Sequence, residues 1–144
     1  MRRTAPREPA VDGPSADASA DAVEPTGGTA DWPGEWLRGA LTLCVLRVLS
    51  TEATYGYEIA QRLAAGGLGE IKGGTLYPLL GRLHSAGYVD EEWRPGDGGP
   101  GRKYYVLTDA GRSHLADEST RWSRFAAVTC AFLTTPHDTT EVAR

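Results

Sequence analysis

From Trp36 to Ser50 (WLRGALTLCVLRVLS) the chain is apolar on nearly every face of a helix: Trp36, Leu37, Leu41, Leu43, Cys44, Val45, Leu46, Val48 and Leu49. Such a helix needs more than one neighbour to cover it, and in a chain this small a second subunit is an expected neighbour. Tyr55 to Ala65 predicts a second helix, with Tyr55, Ile59 and Leu63 at i, i+4, i+8, Thr54 as its N-cap and Gly66-Gly67 at its end. A third helix is predicted from about Gly73-Gly74 to Ser85. Its apolar face is Leu76, Leu79, Leu80 and Leu83. The opposite face carries Tyr77, Gly81 and Ser85, flanked by Thr75, Pro78, Arg82 and His84. Ile71 and Leu76 bracket Lys72 as a hydrophobic staple, and Pro78 is placed near the first turn. An exposed mid-helix glycine costs about 1 kcal/mol against alanine, so Gly81 fits a face that another surface approaches closely.

The period then changes from helical to two. Tyr88 to Arg94 (YVDEEWR) and Arg102 to Leu107 (RKYYVL) read as paired strands, joined by Pro95-Gly96-Asp97-Gly98-Gly99-Pro100-Gly101, a pure turn composition. Tyr104 or Tyr105 must face the core with Leu107, and Trp93 is expected to be structural as well. Thr108-Asp109 looks like a helix start. That helix is predicted to run to about Leu133, with Leu115, Trp122, Phe125/Ala126, Thr129 and Phe132/Leu133 repeating roughly every seven residues.

With 144 residues the chain suits one compact domain. Residues 1–34 are rich in Pro, Ala, Asp, Gly, Ser and Thr and are expected to be a disordered acidic tail, with Trp32 packing weakly on the domain edge. Residues 136–144 are expected to fray. The net charge of −4 argues against nucleic acid only until the chain is divided. All of the excess acid lies in residues 1–35, and the remainder is neutral. No apolar run is long enough to span a membrane, and Met1-Arg2-Arg3 leads into no apolar signal region. Two lone cysteines, Cys44 and Cys130, make neither a disulfide framework nor a zinc site, so a cytoplasmic protein is expected. The histidines, His84, His114 and His137, lack metal spacing, and no catalytic constellation has supporting context. An enzyme, a metal site and a cofactor are therefore not expected.

Three helices followed by a hairpin is the winged helix-turn-helix plan: mainly α with a β-hairpin, here with a long C-terminal helix. The Gly74–Ser85 helix would enter a major groove and the hairpin tip would be the wing. Tyr55-Gly56-Tyr57-Glu58-Ile59, then Gly74-Thr75-Leu76-Tyr77-Pro78-Leu79-Leu80 with Arg82-Leu83 and Gly87, then Gly101-Arg102-Lys103-Tyr104-Tyr105 with Leu107-Thr108 and Gly111-Arg112, resemble the PadR family of transcriptional regulators. The resemblance implies a homodimeric repressor acting on a partly palindromic DNA operator, often near its own gene. With only some 36 residues after Thr108, the chain resembles the short type with a single C-terminal dimerisation helix. The expected division is a DNA-binding domain over 35–107 and a dimerisation helix over 108–135.

On this reading the DNA-binding candidates are Lys72, Thr75, Tyr77, Arg82, Ser85, Arg94, Arg102 and Lys103. Tyr77 is placed at phosphate, Thr75 at phosphate or base edge, and Lys72, Arg102 and Lys103 at phosphate or minor groove. The plainer alternatives are a Tyr77 packed on the hairpin and an Arg82 or Arg94 held in a surface ion pair. Glu91 and Glu92 are expected on a strand face turned away from DNA. The resemblance also implies that an aromatic on the last helix can line a cavity between subunits that takes flat, hydrophobic effectors. Trp122, with Phe125 and Trp36, is the candidate, and a simple dimer-core tryptophan is the alternative. Cys44 and Cys130, on helices expected to meet across the dimer, read as reduced thiols rather than a redox pair. A winged-helix module that binds a protein partner and no DNA is the competing class, supported by the neutral domain.

Overall fold

A computed structural model describes residues 32–96 and 98–136. The elements are α1 (Gly34–Thr51), β1 (Thr54–Tyr55), α2 (Gly56–Leu63), α3 (Gly73–Ser85), β2 (Val89–Arg94), β3 (Arg102–Leu107) and α4 (Asp109–Thr134). The strands form one antiparallel sheet in the order β1-β3-β2. The expected acidic tail and the frayed end beyond Pro136 lie outside the described residues, Trp32 and the start of α1 apart.

Helices α1, α2 and α3 and the inner face of the sheet share one core. Val45, Leu46, Ile59, Leu80 and Val89 are completely buried in it, with Leu76, Tyr105 and Leu107 nearly so. The apolar face predicted for α3 is the buried one: Leu76, Leu79, Leu80 and Leu83. Ile71 and Leu76 are both in the core, as a staple requires, although Lys72 makes no side-chain cap. Pro78 sits in the second turn of α3, not the first. It removes the bond to the Gly74 carbonyl on a face already open to solvent, so the helix continues through it.

Two local expectations are corrected. Thr54 does not cap α2. It is buried in β1 opposite Tyr105, and Tyr55 beside it pairs with Tyr104, so the helix begins one residue later. A two-residue strand gives too short an alternation to compete with the helical stripe that follows it. Helix α2 ends at Leu63 and passes into a wide π-type turn over Ala64–Leu68, where Gly67 takes φ 106°, a backbone that glycine alone adopts freely. Trp32 closes on this turn: its indole Nε1 donates to the Gly67 carbonyl at 2.8 Å, and its ring lies 6.4 Å from Trp36.

The start of α4 is locked to the α3–β2 turn. The Thr108 hydroxyl donates to the Gly87 carbonyl at 2.7 Å and accepts from the Gly111 amide at 3.0 Å, while Tyr88 stacks on His114 with centroids 4.2 Å apart. Thr108 thus caps a helix and ties it to a distant turn. Thr108→Ala is expected to lower stability by about 1–2 kcal/mol, measured as a lower urea midpoint with an unchanged slope at fixed protein concentration.

Beyond its first turns α4 is nearly bare. Gly111 is its one buried residue, and Phe125, Val128, Phe132 and Leu133 are all exposed. Cys130 is exposed on α4. Cys44 on α1 is half-buried, and burial pushes its thiol pKa up, which keeps it protonated. Among the described residues no helix is long and apolar enough to cross a membrane.

Candidate nucleic-acid interface

Helix α3 buries its leucines and turns the rest outward. Lys72, Thr75, Tyr77, Arg82 and Ser85 are all exposed. At about 100° per residue the outermost line is Gly74, Pro78, Gly81 and Ser85, small residues that let the helix axis approach a groove floor. Thr75 and Arg82 fall on one edge of that line, Tyr77 and His84 on the other.

The Tyr77 edge faces the hairpin across a groove also lined by Tyr57, Trp93, Arg102, Lys103 and Tyr105. The Tyr77 ring lies across Gly56, where any side chain would run into its hydroxyl. Tyr77 therefore rests on the start of α2 and stays half exposed. The glycine in Tyr55-Gly56-Tyr57 leaves the room this ring occupies. On the far edge, Thr75, Leu79 and Arg82 face the first turns of α1 across a second groove, shared with Lys72, Glu70 and Arg38.

The hairpin distributes its charge over both faces. Val89, Glu91 and Trp93 pair with Leu107, Tyr105 and Lys103; Asp90, Glu92 and Arg94 pair with Val106, Tyr104 and Arg102. Glu91 and Glu92 consequently sit on opposite faces and cannot both point away from a ligand, which corrects the expectation. Strand alternation makes that outcome unavoidable for neighbouring residues. Glu91 lies 3.6 Å from Lys103 Nζ and 3.8 Å from His84 Nδ1, bridging the wing and the end of α3. Burial pushes the Tyr105 phenol up, and the negative charge of Glu91 adds to it. On the other face Glu92 holds Arg94 at 2.9 Å. Arg94 also lies 4.4 Å over the Tyr104 ring, and Arg102 lies 4.5 Å over Tyr55, cation–π contacts that stiffen both guanidinium groups near the tip.

Trp93 is the clearest departure in the hairpin. Expected to be structural, it is 71% exposed, with Lys103 Nζ 5.7 Å over its ring. It follows Val89 and Glu91 on the inner face, but the hairpin outruns the core by that point. Tyr104 and Tyr105 divide as alternation demands: Tyr105 is buried and Tyr104 packs on Tyr55 with centroids 5.4 Å apart. Tyr57, which no sequence period singles out, is 64% exposed in the Tyr77 groove. Its place in the Tyr-Gly-Tyr motif was the available signal.

The proposed effector residues also converge. Trp36 of α1 and Trp122 and Phe125 of α4 line an almost wholly apolar groove of about 660 Å³ that Trp32, Leu68 and Leu133 complete. Trp122 and Phe125 lie 5.8 Å apart, tilted at 50°. Among the described residues no group of His, Cys, Asp and Glu could hold a metal ion.

A core of three helices, a three-stranded sheet ending in a cation-bearing hairpin, and an outward polar helix beside it define a winged helix-turn-helix protein. The transcriptional regulator PadR-like family matches residues 45–117, and the chain belongs to that family. A PadR family regulator from Eggerthella lenta is 37% identical, with a TM-score of 0.64, over 71% of this chain and 88% of that one. A PadR-like regulator from Bacillus cereus is 30% identical, with a TM-score of 0.65, over 72% of this chain and 100% of that one. A Mycobacterium tuberculosis transcriptional regulator is 34% identical over 84 residues, 58% of this chain and 77% of the relative. The protein is a transcriptional regulator of the PadR type.

Proposed function

We propose that this regulator binds duplex DNA as a homodimer, with α3 in the major groove and the hairpin on the flanking backbone, and that it is a ligand-responsive repressor of its own or adjacent genes. One observation carries the reading. The outer face of α3 is uncovered, and its Tyr77 edge opens onto the same groove as the wing residues Arg102 and Lys103. A helix N-terminus with two glycines, Gly73 and Gly74, beside Lys72 adds amide donors for a phosphate. Lys72, Thr75, Tyr77, Arg82, Ser85, Arg94, Arg102 and Lys103 form the proposed contact set, with residues 35–107 as the DNA-binding unit.

The exposed aromatic face of α4, together with Trp36, is the proposed dimer surface. A contiguous apolar patch of this kind marks an association site. Two recognition helices set a helical turn apart would then read a partly palindromic operator. The Trp36–Trp122–Phe125 groove, closed by the second subunit, takes a flat hydrophobic effector. By shifting the packing of α1 and α4, that effector alters the spacing of the two α3 helices and releases DNA.

The test is fluorescence anisotropy on duplex from the upstream region of the protein's own gene, against a scrambled duplex, across a salt series. Tight and selective binding with a steep salt slope is expected. Arg102→Ala with Lys103→Ala should weaken it and make the slope shallower by roughly one to two units. Insensitivity of a measurable DNA affinity to this pair would remove the wing from the interface. No selective duplex, even after selection from a random library, would favour the protein-interaction reading.

A further inference from the structure

We propose that Arg38, in the second turn of α1, contacts a DNA phosphate on the side of α3 opposite the wing, so that α1 is a third DNA-binding element. The inference rests on the DNA-binding reading above and extends it to a residue outside the 45–117 family match.

Thr75 and Arg82 lie roughly 160° around the helix from Tyr77 and His84, with Gly74, Pro78, Gly81 and Ser85 between them. A helix with its side chains is about 10–12 Å across, and the major groove is about 12 Å wide. A helix seated there on its small-residue line brings both edges close to a phosphate strand. On the Tyr77 edge the wing supplies the cations. On the Thr75 edge the hairpin cannot reach, and that backbone needs another partner.

The groove on that edge supplies one. It holds about 310 Å³ between α1 and α3 and gathers Arg38, Lys72 and Arg82 around Thr75, against the single acid Glu70. All three cations are exposed, and among the described residues none of them is in an ion pair. The wing differs: Lys103 and Arg94 are already engaged by Glu91 and Glu92. Three cations that line one groove with a threonine hydroxyl, unpaired among the described residues, suit a phosphodiester. A guanidinium adds planar, two-point recognition of its oxygens. Arg38 owes its place to the opening turns of α1, whose Leu37 and Leu41 line the same groove.

The probe is a duplex enriched from a random library by the full-length wild-type protein. Arg38→Ala and Arg38→Lys are compared with wild type and with the Arg102→Ala/Lys103→Ala pair. Melting temperature and sedimentation establish that each variant keeps its fold and assembly. Arg38→Ala is expected to weaken binding about tenfold. The loss should be uniform across duplexes, and the salt slope shallower by about one unit. Arg38→Lys should restore most of the slope. Phosphate ethylation interference should lose positions on the strand opposite those lost by the wing pair. An Arg38→Ala variant that binds like wild type while the wing pair is weakened would overturn the role of α1 and leave the DNA reading intact. Loss of the same phosphates in both variants would also overturn it. Failure of the wild type to enrich any duplex would overturn both readings.

Discussion

Gly111→Ala is expected to destabilise the protein by about 3 kcal/mol, a fall of roughly 10–20 °C in melting temperature at fixed protein concentration. A β-carbon at Gly111 would collide with the backbone carbonyl of Tyr88 and crowd a Leu107 methyl. The carbonyl cannot yield cheaply. The same turn accepts the Thr108 hydroxyl at Gly87 and holds Tyr88 stacked on His114, so moving it loosens every contact that seats α4. The contrast with Gly56 is instructive. There the obstacle is the tip of the half-exposed Tyr77 side chain, which can swing away with little loss of stability. A Gly111→Ala protein that melts within a degree or two of wild type would show that the junction has slack.

The second large effect is expected at the bare end of α4. If the proposed dimer forms through this face, Phe125→Glu combined with Phe132→Glu should convert it to a folded monomer in sedimentation equilibrium at micromolar concentration. On the same proposal, operator affinity should fall by about 100-fold or more, because two linked half-site contacts would become one. Phe125 and Phe132 are 61% and 81% exposed in one chain and lie seven residues apart, on one stripe with Val128 near it. Buried in a seam between subunits, an unpaired carboxylate costs several kcal/mol, whereas at a solvated surface it costs almost nothing. A double variant that stays dimeric would move the interface off this stripe.

Helix α3 and the β2–β3 hairpin could be read from sequence because each has many residues in one period. The four-leucine face of α3 and the Arg-Lys-Tyr-Tyr-Val-Leu strand leave no comparable alternative. What escaped the reading depends on distance in space. Strand β1 is two residues long and exists only because β3 offers an edge to Thr54 and Tyr55. Trp93 has the composition of a core residue, and only the length of the hairpin beyond the core exposes it. Arg38 lies in a segment whose apolar character drew attention to subunit contact. Its place beside Lys72 and Arg82 emerges only when α1 and α3 pack. The α1–α4 groove sits between these cases. Its aromatics were individually visible, while the closing of one end by Trp32 through the Gly67 carbonyl was not.

The carboxylates within the wing have a kinetic consequence. With Glu91 beside Lys103 and Glu92 on Arg94, the hairpin carries little net field into solution, and the chain beyond residue 35 is neutral as a whole. Long-range steering, which accelerates encounters between oppositely charged surfaces and is quenched by salt, is therefore weak. In the proposed complex, Lys103 and Arg94 would reach phosphate only at short range, after exchanging Glu91 and Glu92 for the backbone. Ionic strength should then act mainly on residence time. On the proposed reading, stopped-flow association with an operator is expected to stay nearly constant across a salt series while the rate of departure climbs steeply.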